Sequence, residues 1–280
     1  MRVSLPLWTG MLLAFLGCAP NPPEVPYAPP QTDFAEVEHA SPLTEADLRK
    51  ITPKNLKAAT QEQVDQIYAR LQAGPIPDGA FEGDLFLPKG ESGKARLSEI
   101  VGGGLTGLAV SLKAKKIEVL GAALWKGKVF YRDQRVLRNR IEDLAVIRPL
   151  LGAGEIKRID VDGKDAWLLF PAKLYCGQSL LDSRRESVII DYAFTDEIEG
   201  YRENPDVLAG RRGFQIRDEI RQVRPGFYLG RAYMGKVFIL NFTLYNKKLA
   251  EGGTAITGEP CWPGEVLAHG DHAKADARRL

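Results

Sequence analysis

Apolar and polar residues alternate along short runs between residues 80 and 245, and turn residues separate each run from the next. A period of two is typical of β-strands with one buried face. Asp162-Gly163 lies between two runs and predicts a two-residue hairpin, and Met234-Gly235-Lys236 predicts a second one. Many short strands joined in this way predict an antiparallel curved sheet or barrel over residues 79–248. The runs are AFEGDLFLP, ALWKGKVFY, QRVLRNRI, IKRIDVDGKDAWLLF, SVIIDYAF, FQIRDEIRQV, FYLGRAYM and KVFILNFTLY.

Two helices are predicted ahead of the strands, in residues 43–78. Thr44 and Asp47 have the spacing of a capping box, and so do Thr60 and Gln63. After Thr60, apolar residues recur at helical spacing until turn residues end the helix. We expect a helical lead-in that packs one apolar stripe on the strand domain. The predicted fold class is therefore mainly β (α+β).

One apolar segment, roughly Leu97 to Leu120, interrupts the strands and predicts an inserted helix. Gly102, Gly104 and Gly107 within it match the G-x-G-x-x-G pattern of dinucleotide-binding folds. That function also needs a parallel βαβ unit, whereas the surrounding strands are antiparallel in character. We therefore interpret these glycines as positions of close helix packing.

Residues 1–17 are typical of a secretory signal peptide, because one positive charge, Arg2, precedes an apolar run that is too short to span a bilayer. The stretch Phe15-Leu16-Gly17-Cys18 resembles the lipobox of bacterial lipoproteins. The resemblance implies that Cys18 becomes the acylated first residue. By the same resemblance, Ala19 implies transfer to the outer membrane, where the domain would face the periplasm. An ordinary signal peptide with an incidental cysteine is the alternative.

The two flanks of the strand domain are rich in turn-forming residues. Residues 18–42 are predicted to be a proline-rich tether, whose stretch APNPPEVPYAPPQTD favours an extended spacer, and residues 249–280 form a Gly/Pro-rich tail. Once Cys18 carries lipid, the cysteines that remain are Cys176 and Cys261. Two such thiols are expected to pair in an oxidising periplasm, and two unpaired buried thiols are the alternative.

Net charge and histidine positions argue against several classes of function. The formal charge of +2 provides no basic field that would favour nucleic acid or an anionic membrane surface. The three histidines, His39, His269 and His272, all lie outside the predicted strand domain. A histidine-based triad, haem or zinc inside the domain is therefore disfavoured. We expect neither a metal nor another cofactor.

Asp218, in the run FQIRDEIRQV, needs a physical explanation. It shares its face with Ile216 and Ile220 if the run is a strand. A carboxylate among apolar neighbours must be paired, hydrogen-bonded or near water in a cavity. The charges on the opposite face, which we expect to be solvated, are Arg217, Glu219 and Arg221.

Other strands also place a polar residue among apolar neighbours. Asp191 lies in SVIIDYAF, and Asn241 lies in FILNFTLY. If these residues converge with Asp218, they form a polar cluster in an apolar cavity, together with Trp125 and Tyr228. Alternatively, the two aspartates pair with arginines of neighbouring strands and fix the strand register. The candidate arginines are Arg217, Arg221 and Arg231.

Three stretches, WKGKVF, IIDY and RDEIRQVRPGFYLGRAY, carry a resemblance to a known family. The pattern resembles uncharacterised bacterial and fungal proteins whose sheets are loosely lipocalin-like, and it spans Gly79 to Tyr245. Its most specific part is RDEIR-x-V-x-PG-x-YLG. The resemblance implies a lipocalin-like barrel but no reaction. The motif members are Trp125, Gly127, Asp191, Arg217, Asp218, Glu219, Arg221 and Tyr228.

Three classes of function are consistent with the sequence. We expect first a membrane-anchored envelope lipoprotein whose barrel binds a hydrophobic or amphipathic small molecule, such as a lipid. The second class is a carboxylate-based enzyme in the same cavity, with Asp218 and Asp191 as acid and base. Tyr228 or Lys126 would assist in that chemistry. The third class is a structural lipoprotein whose charged outer strand face docks an envelope protein.

Overall fold

The computed structural model describes residues 33–87, 89, 125–145, 147–151, 155–252 and 261. The strands of this part of the chain are β1 (Gly79–Phe86), β2 (Trp125–Tyr131), β3 (Val136–Ile141), β4 (Ile159–Val161), β5 (Lys164–Gln178), β6 (Glu186–Asp191), β7 (Ile216–Arg224), β8 (Phe227–Met234) and β9 (Val237–Tyr245). The helices are α1 (Phe34–Ala40), α2 (Glu45–Lys50), α3 (Pro53–Ala58), α4 (Gln61–Arg70), α5 (Glu203–Asp206) and α6 (Lys247–Glu251). Single 3-10 turns cover Arg132–Gln134, Arg148–Leu150 and Thr195–Glu197.

Eight of the strands form a closed antiparallel barrel. Their order is β3-β2-β1-β9-β8-β7-β6-β5, and pairing between β3 and β5 closes the ring. Strand β4 pairs only with the first part of β5 and forms a short hairpin beside the barrel. Closure pairs both edges of every barrel strand, which removes the exposed edges of an open sheet. The predicted mainly β fold is confirmed, and it is consistent with a lipocalin-like barrel.

The hairpin turns follow from the turn residues of the sequence. Asp162 and Gly163 join β4 to β5 with φ angles of 52° and 78°. Two central residues with positive φ match the right-handed twist of the flanking strands. Gly235 and Lys236 join β8 to β9, and the φ of Gly235 is 59°. Both predicted hairpins are confirmed.

Helices α1 to α4 precede the barrel, and the capping boxes predicted at two of them are present. Thr44 caps α2 with Asp47 as its partner, and Thr60 caps α4 with Gln63. Apolar residues of α3 and α4 pack on the outer faces of β7 and β8, where Val223, Phe227 and Leu229 contribute to one buried cluster.

Helix α1 lies in the last part of the predicted tether. The extended spacer was predicted for the proline-rich stretch 19–33, and α1 occupies Phe34–Ala40, in the last part of the segment 18–42 that we assigned to the tether. The side chain of Asp33 accepts hydrogen bonds from the backbone amides of Ala35 and Glu36 and starts the helix. The signal peptide, Cys18 and the inserted apolar segment 97–120 lie outside the described residues.

The interior is packed at one end of the barrel. The ring of Phe81 meets the rings of Phe130 and Tyr228 edge to face, with centroids 5.5 and 5.8 Å apart. All three side chains are fully buried. A disulfide between Cys176 and Cys261 joins this region to the C-terminal tail. Of the two alternatives for these cysteines, the structure contains the bonded one.

The outer face of β7 corrects a second expectation. We expected Arg217, Glu219 and Arg221 to be solvated, but Glu219 and Arg221 are fully buried. The Arg221 guanidinium donates to the carbonyl oxygens of Tyr68 and Ala69 at the C-terminal end of α4, at 3.0 and 3.3 Å. These are carbonyls that a helix end leaves without intrahelical partners. Strand alternation separates the two faces, but it does not show that helices cover the outer one.

Candidate functional site

A cavity of about 360 Å³ lies at the other end of the barrel interior, where β1 ends and β2 begins. Its walls are mainly apolar. Leu150 and Phe214 line it and are 49% and 53% exposed, which places large apolar side chains at the opening. The other apolar residues of the wall include Leu85, Ile141, Ile147, Phe170, Leu208, Ile216, Leu240 and Phe242.

A buried ion pair forms the polar floor of the cavity. Lys128 Nζ lies 2.9 Å from Asp218 Oδ2, and the two side chains are only 3% and 7% exposed. The same ammonium donates to the Tyr192 hydroxyl at 2.6 Å and to Asn139 Oδ1 at 2.9 Å. A buried ammonium needs all of this compensation, because an unpaired charge is costly in a low-dielectric interior.

A second set of hydrogen bonds holds the partners of Lys128 in place. Trp125 Nε1 donates to Asn139 Oδ1 at 2.8 Å. Asn139 Nδ2 donates to the Tyr192 hydroxyl at 2.8 Å and to the Phe170 carbonyl oxygen at 3.0 Å. The floor is therefore a connected network whose members fix one another's orientation.

Three aromatic rings surround the Lys128 ammonium. Its Nζ lies 5.4 Å from the ring centroid of Trp125, 5.3 Å from that of Tyr192 and 5.5 Å from that of Phe242. These distances are within the range of cation–π attraction. The three rings also pack around the ion pair and shield it from bulk water.

The electrostatics fix the protonation states of Lys128 and Tyr192 at neutral pH. Burial acts to lower the pKa of Lys128, but the attraction of Asp218 and Tyr192 outweighs it, so that the pKa is raised. Burial raises the pKa of Tyr192 to about 12. Lys128 is thus a charged ammonium and Tyr192 a neutral phenol. The ammonium is neither a free base nor a nucleophile.

A β-bulge in β2 brings the site residues to one face. The register shifts between Trp125, opposite Ile141, and Gly127, opposite Arg140. The φ of Gly127 is 138°, and a Cβ at this position would lie 2.0 Å from the backbone oxygen of Phe81. Only glycine fits such a position. The extra residue allows Trp125 and Lys128, three positions apart, both to line the cavity.

Two of the five predicted cluster residues line the cavity, namely Trp125 and Asp218. Tyr228 lies in the barrel interior at the packed end, where its hydroxyl donates to the Pro75 carbonyl oxygen at 2.9 Å. The cluster is therefore smaller than predicted.

Asp191 and Asn241 do not converge with Asp218, so of the two alternatives the five-residue polar cluster is not formed. Asp191 accepts a hydrogen bond from the Tyr175 hydroxyl at 2.9 Å, and it does not line the cavity. Asn241 Nδ2 donates to Gln61 Oε1 of α4 at 2.7 Å, on the outside of the barrel. Both residues have apolar neighbours because parts of the outer face are also buried, so such neighbours do not identify the interior.

The arginine pairing proposed for Asp218 is also wrong, because its partner is Lys128. Arg217 pairs instead with Glu219 at 3.2 Å, and the guanidinium of Arg231 pairs with Asp65 of α4. These arginines face away from the interior. The Arg231–Asp65 pair ties β8 to α4, whereas the Arg217–Glu219 pair lies within β7.

Sequence reasoning missed Lys128, Asn139 and Tyr192. Strict alternation places Lys128 and Trp125 on opposite faces of β2, and the bulge reverses that relation. The available signal was Gly127, because a glycine inside a strand often marks a bulge.

The structure lacks the specific arrangements that we expected for a carboxylate-based enzyme and for a partner-docking strand. Asp191 and Asp218 do not share a pocket, so they do not form the predicted acid–base pair. Strand β7 is paired with β6 on one side and with β8 on the other, and its charged outer face is largely buried. Strand β7 therefore has no exposed edge, and no solvent-exposed row of charges, that a partner protein could bind.

The described part of the chain has neither a cluster of metal-binding side chains nor a membrane-spanning helix. No cluster of three or more His, Cys, Asp or Glu residues there could hold a metal ion. Within the same residues, no helix is both long and apolar enough to cross a bilayer.

Comparisons with known proteins give no evidence about the function of this site. Neither a family model nor a curated protein matches the chain. A crystal structure of a protein from Thermomonospora curvata is similar to it, with 17% sequence identity and a TM-score of 0.34. The match covers 68% of this chain and 88% of that one. A likeness of this extent carries no conclusion about function, and the family resemblance seen in the motifs stays a prediction.

Proposed function

We propose that the barrel binds a small hydrophobic or amphipathic molecule, such as a lipid, in the cavity above the Lys128–Asp218 pair. The observation that carries this proposal is the composition of the cavity. Its walls and opening are apolar, and its few polar groups are gathered at the floor. A concave apolar site with a small number of convergent polar groups is typical of ligand pockets.

The dimensions of the cavity set the size of the ligand. A volume of about 360 Å³ holds roughly a dozen non-hydrogen atoms, at about 30 Å³ each. Burying about ten methylene groups would contribute roughly 8 kcal/mol before the costs of association are subtracted. We therefore expect affinities in the micromolar range or weaker for a single chain of that length. A longer chain would extend through the opening.

We further propose that the protein performs this binding in the bacterial cell envelope, as a lipoprotein anchored through Cys18 to the outer membrane. The lipobox-like sequence supports the anchor. The Cys176–Cys261 disulfide supports an oxidising compartment such as the periplasm. An anchored barrel of this kind would carry or shelter an apolar molecule close to a membrane surface.

Native mass spectrometry followed by organic extraction tests the binding proposal. The protein is the mature chain, residues 18–280, with Cys18→Ser so that no lipid is attached. We expect a reproducible bound apolar molecule, either co-purified or taken up from envelope lipids. Its loss in Leu240→Trp, which fills the cavity, would assign it to this site.

A matched control introduces a tryptophan at another position of the same strand. Val237 is 45% exposed and does not line the cavity, so Val237→Trp should retain the molecule. An apo mass after incubation with envelope lipids would refute the proposal. Equal loss from both variants would show that the bound molecule is not in the cavity.

A further inference from the structure

The hydrogen-bonding groups of the cavity floor restrict the chemical class of the ligand. We infer that the ligand presents a neutral hydrogen-bond donor, such as a hydroxyl group, to Asp218, and that a long-chain alcohol is bound in preference to a fatty acid. This inference rests on the proposed binding function and specifies the ligand of the same site.

Every N–H group of the floor already has an acceptor. The ammonium of Lys128 has three N–H bonds, and it donates to Asp218, Tyr192 and Asn139. The amide of Asn139 has two, which go to the Phe170 carbonyl and the Tyr192 hydroxyl. The single indole N–H of Trp125 goes to Asn139. The floor therefore retains no N–H donor for a ligand carboxylate.

The hydrogen-bond acceptors of the floor, unlike its N–H donors, do not all have a partner. Asn139 Oδ1 accepts from both Trp125 and Lys128. Asp218 Oδ2 accepts from Lys128 at 2.9 Å, and the Tyr192 hydroxyl lies 3.4 Å from the same oxygen. The other carboxylate oxygen, Asp218 Oδ1, accepts no hydrogen bond from any described residue, and Asp218 lines the cavity. The open position at the floor is thus an acceptor.

An open acceptor selects against an anionic ligand. A carboxylate would bring two further acceptor oxygens and a negative charge to a buried aspartate, with no N–H group to compensate either. A hydroxyl can instead donate its proton to Asp218 Oδ1. A bond of this kind is charge-assisted, and such bonds are among the stronger ones in proteins.

The ion pair also selects against a cationic ligand. An ammonium can donate to Asp218, but it would enter a site where Lys128 already neutralises the carboxylate at 2.9 Å. The buried site would then carry a net positive charge, which is unfavourable away from water. A neutral donor leaves the net charge of the floor at zero.

The apolar wall fixes the orientation of such a ligand. The hydroxyl lies at the floor beside Asp218, and the hydrocarbon chain runs toward Leu150 and Phe214 at the opening. A chain of about ten carbons matches the roughly dozen atoms that the cavity can hold.

Four probes with an unbranched ten-carbon chain separate these possibilities on the mature chain: 1-decanol, its methyl ether, decanoate and decylamine. Their dissociation constants are measured by displacement of a bound fluorescent dye at pH 7.5. We expect 1-decanol to bind at least about tenfold more tightly than the ether, which lacks the donor, and than decanoate; tenfold corresponds to about 1.4 kcal/mol. The double variant Lys128→Met/Asp218→Leu should bind 1-decanol and the ether equally.

The control double variant, Lys126→Met/Asp191→Leu, removes the same two residue types at positions that do not line the cavity, and it should keep the preference for the alcohol. Equal or tighter binding of decanoate, or tightest binding of decylamine, would overturn the inference and leave the binding function standing. Persistence of the preference in Lys128→Met/Asp218→Leu would overturn the assignment to Asp218. If none of the four probes displaced the dye, the proposed function itself would fail.

Discussion

Breaking the Lys128–Asp218 pair should destabilise the barrel strongly, whereas replacing both residues with apolar ones should not. Lys128 Nζ and Asp218 Oδ2 are 2.9 Å apart, and both side chains are more than nine-tenths buried. Asp218→Asn removes the negative charge but leaves the ammonium buried among three aromatic rings. Lys128→Met leaves the Asp218 carboxylate buried without its cation.

The magnitude follows from the cost of an uncompensated buried charge. Removing one partner of a buried ion pair costs about 3–5 kcal/mol, while replacing both with apolar residues of similar size is often neutral. Each single variant should therefore lower the melting temperature by roughly 6–20 °C, at about 2–4 °C per kcal/mol for a domain of this size. The free energy of unfolding of Lys128→Met/Asp218→Leu should lie within about 1–2 kcal/mol of the wild-type value.

Guanidinium denaturation of the four proteins, with the disulfide intact, measures these differences in the free energy of unfolding. A surface pair provides the control: Lys173 and Glu197 lie 2.6 Å apart but are 38% and 46% exposed, so Glu197→Gln should cost no more than about 1 kcal/mol. An Asp218→Asn protein that unfolds like the wild type would refute the ion-pair account. So would a double variant that loses at least as much stability as either single variant.

Two further predictions concern the same part of the barrel. Because the folded-state pKa of Lys128 is raised above its ordinary value of 10.5, the contribution of the pair should be fully present below pH 10.5 and lost as the pH rises through the folded-state value. The difference in unfolding free energy between wild type and Lys128→Met should thus be the same at pH 7 and pH 9, and smaller at pH 11. A difference that is already smaller at pH 9 than at pH 7 would contradict this prediction. Gly127→Ala should cost more than about 2 kcal/mol in the same denaturation assay, because its Cβ would lie 2.0 Å from the Phe81 oxygen. Gly163→Ala, also at positive φ but with no atom within 4 Å, should cost about 1 kcal/mol, and equal losses would show that the bulge does not require glycine.

The parts of the fold that were predictable are those set by local sequence. The alternation of apolar residues located the strands of the barrel, and Asp162-Gly163 located a hairpin because few residues tolerate two positive φ angles in succession. The two capping boxes were predictable for the same reason, since each involves residues only three positions apart.

The site was less predictable because it depends on which face of each strand is inside. Asp218 was identified as an interior residue, and it lines the cavity. Its partner Lys128 was not, because the bulge at Gly127 changes the direction of every side chain beyond it. Asn241 was misplaced because α4 covers the outer face of its strand, and a covered outer face carries the same mixture of apolar and polar residues as an interior one.

A crystal structure of the mature chain with 10-bromodecan-1-ol would test the central claim most directly, because the anomalous signal of bromine locates the end of the hydrocarbon chain. The account predicts a bromine peak at the opening near Leu150 and Phe214, and the hydroxyl oxygen within hydrogen-bonding distance of Asp218 Oδ1. A bromine peak beside Lys128 would contradict the proposed orientation. A bromine site outside the barrel, with the cavity free of the probe, would contradict the binding function.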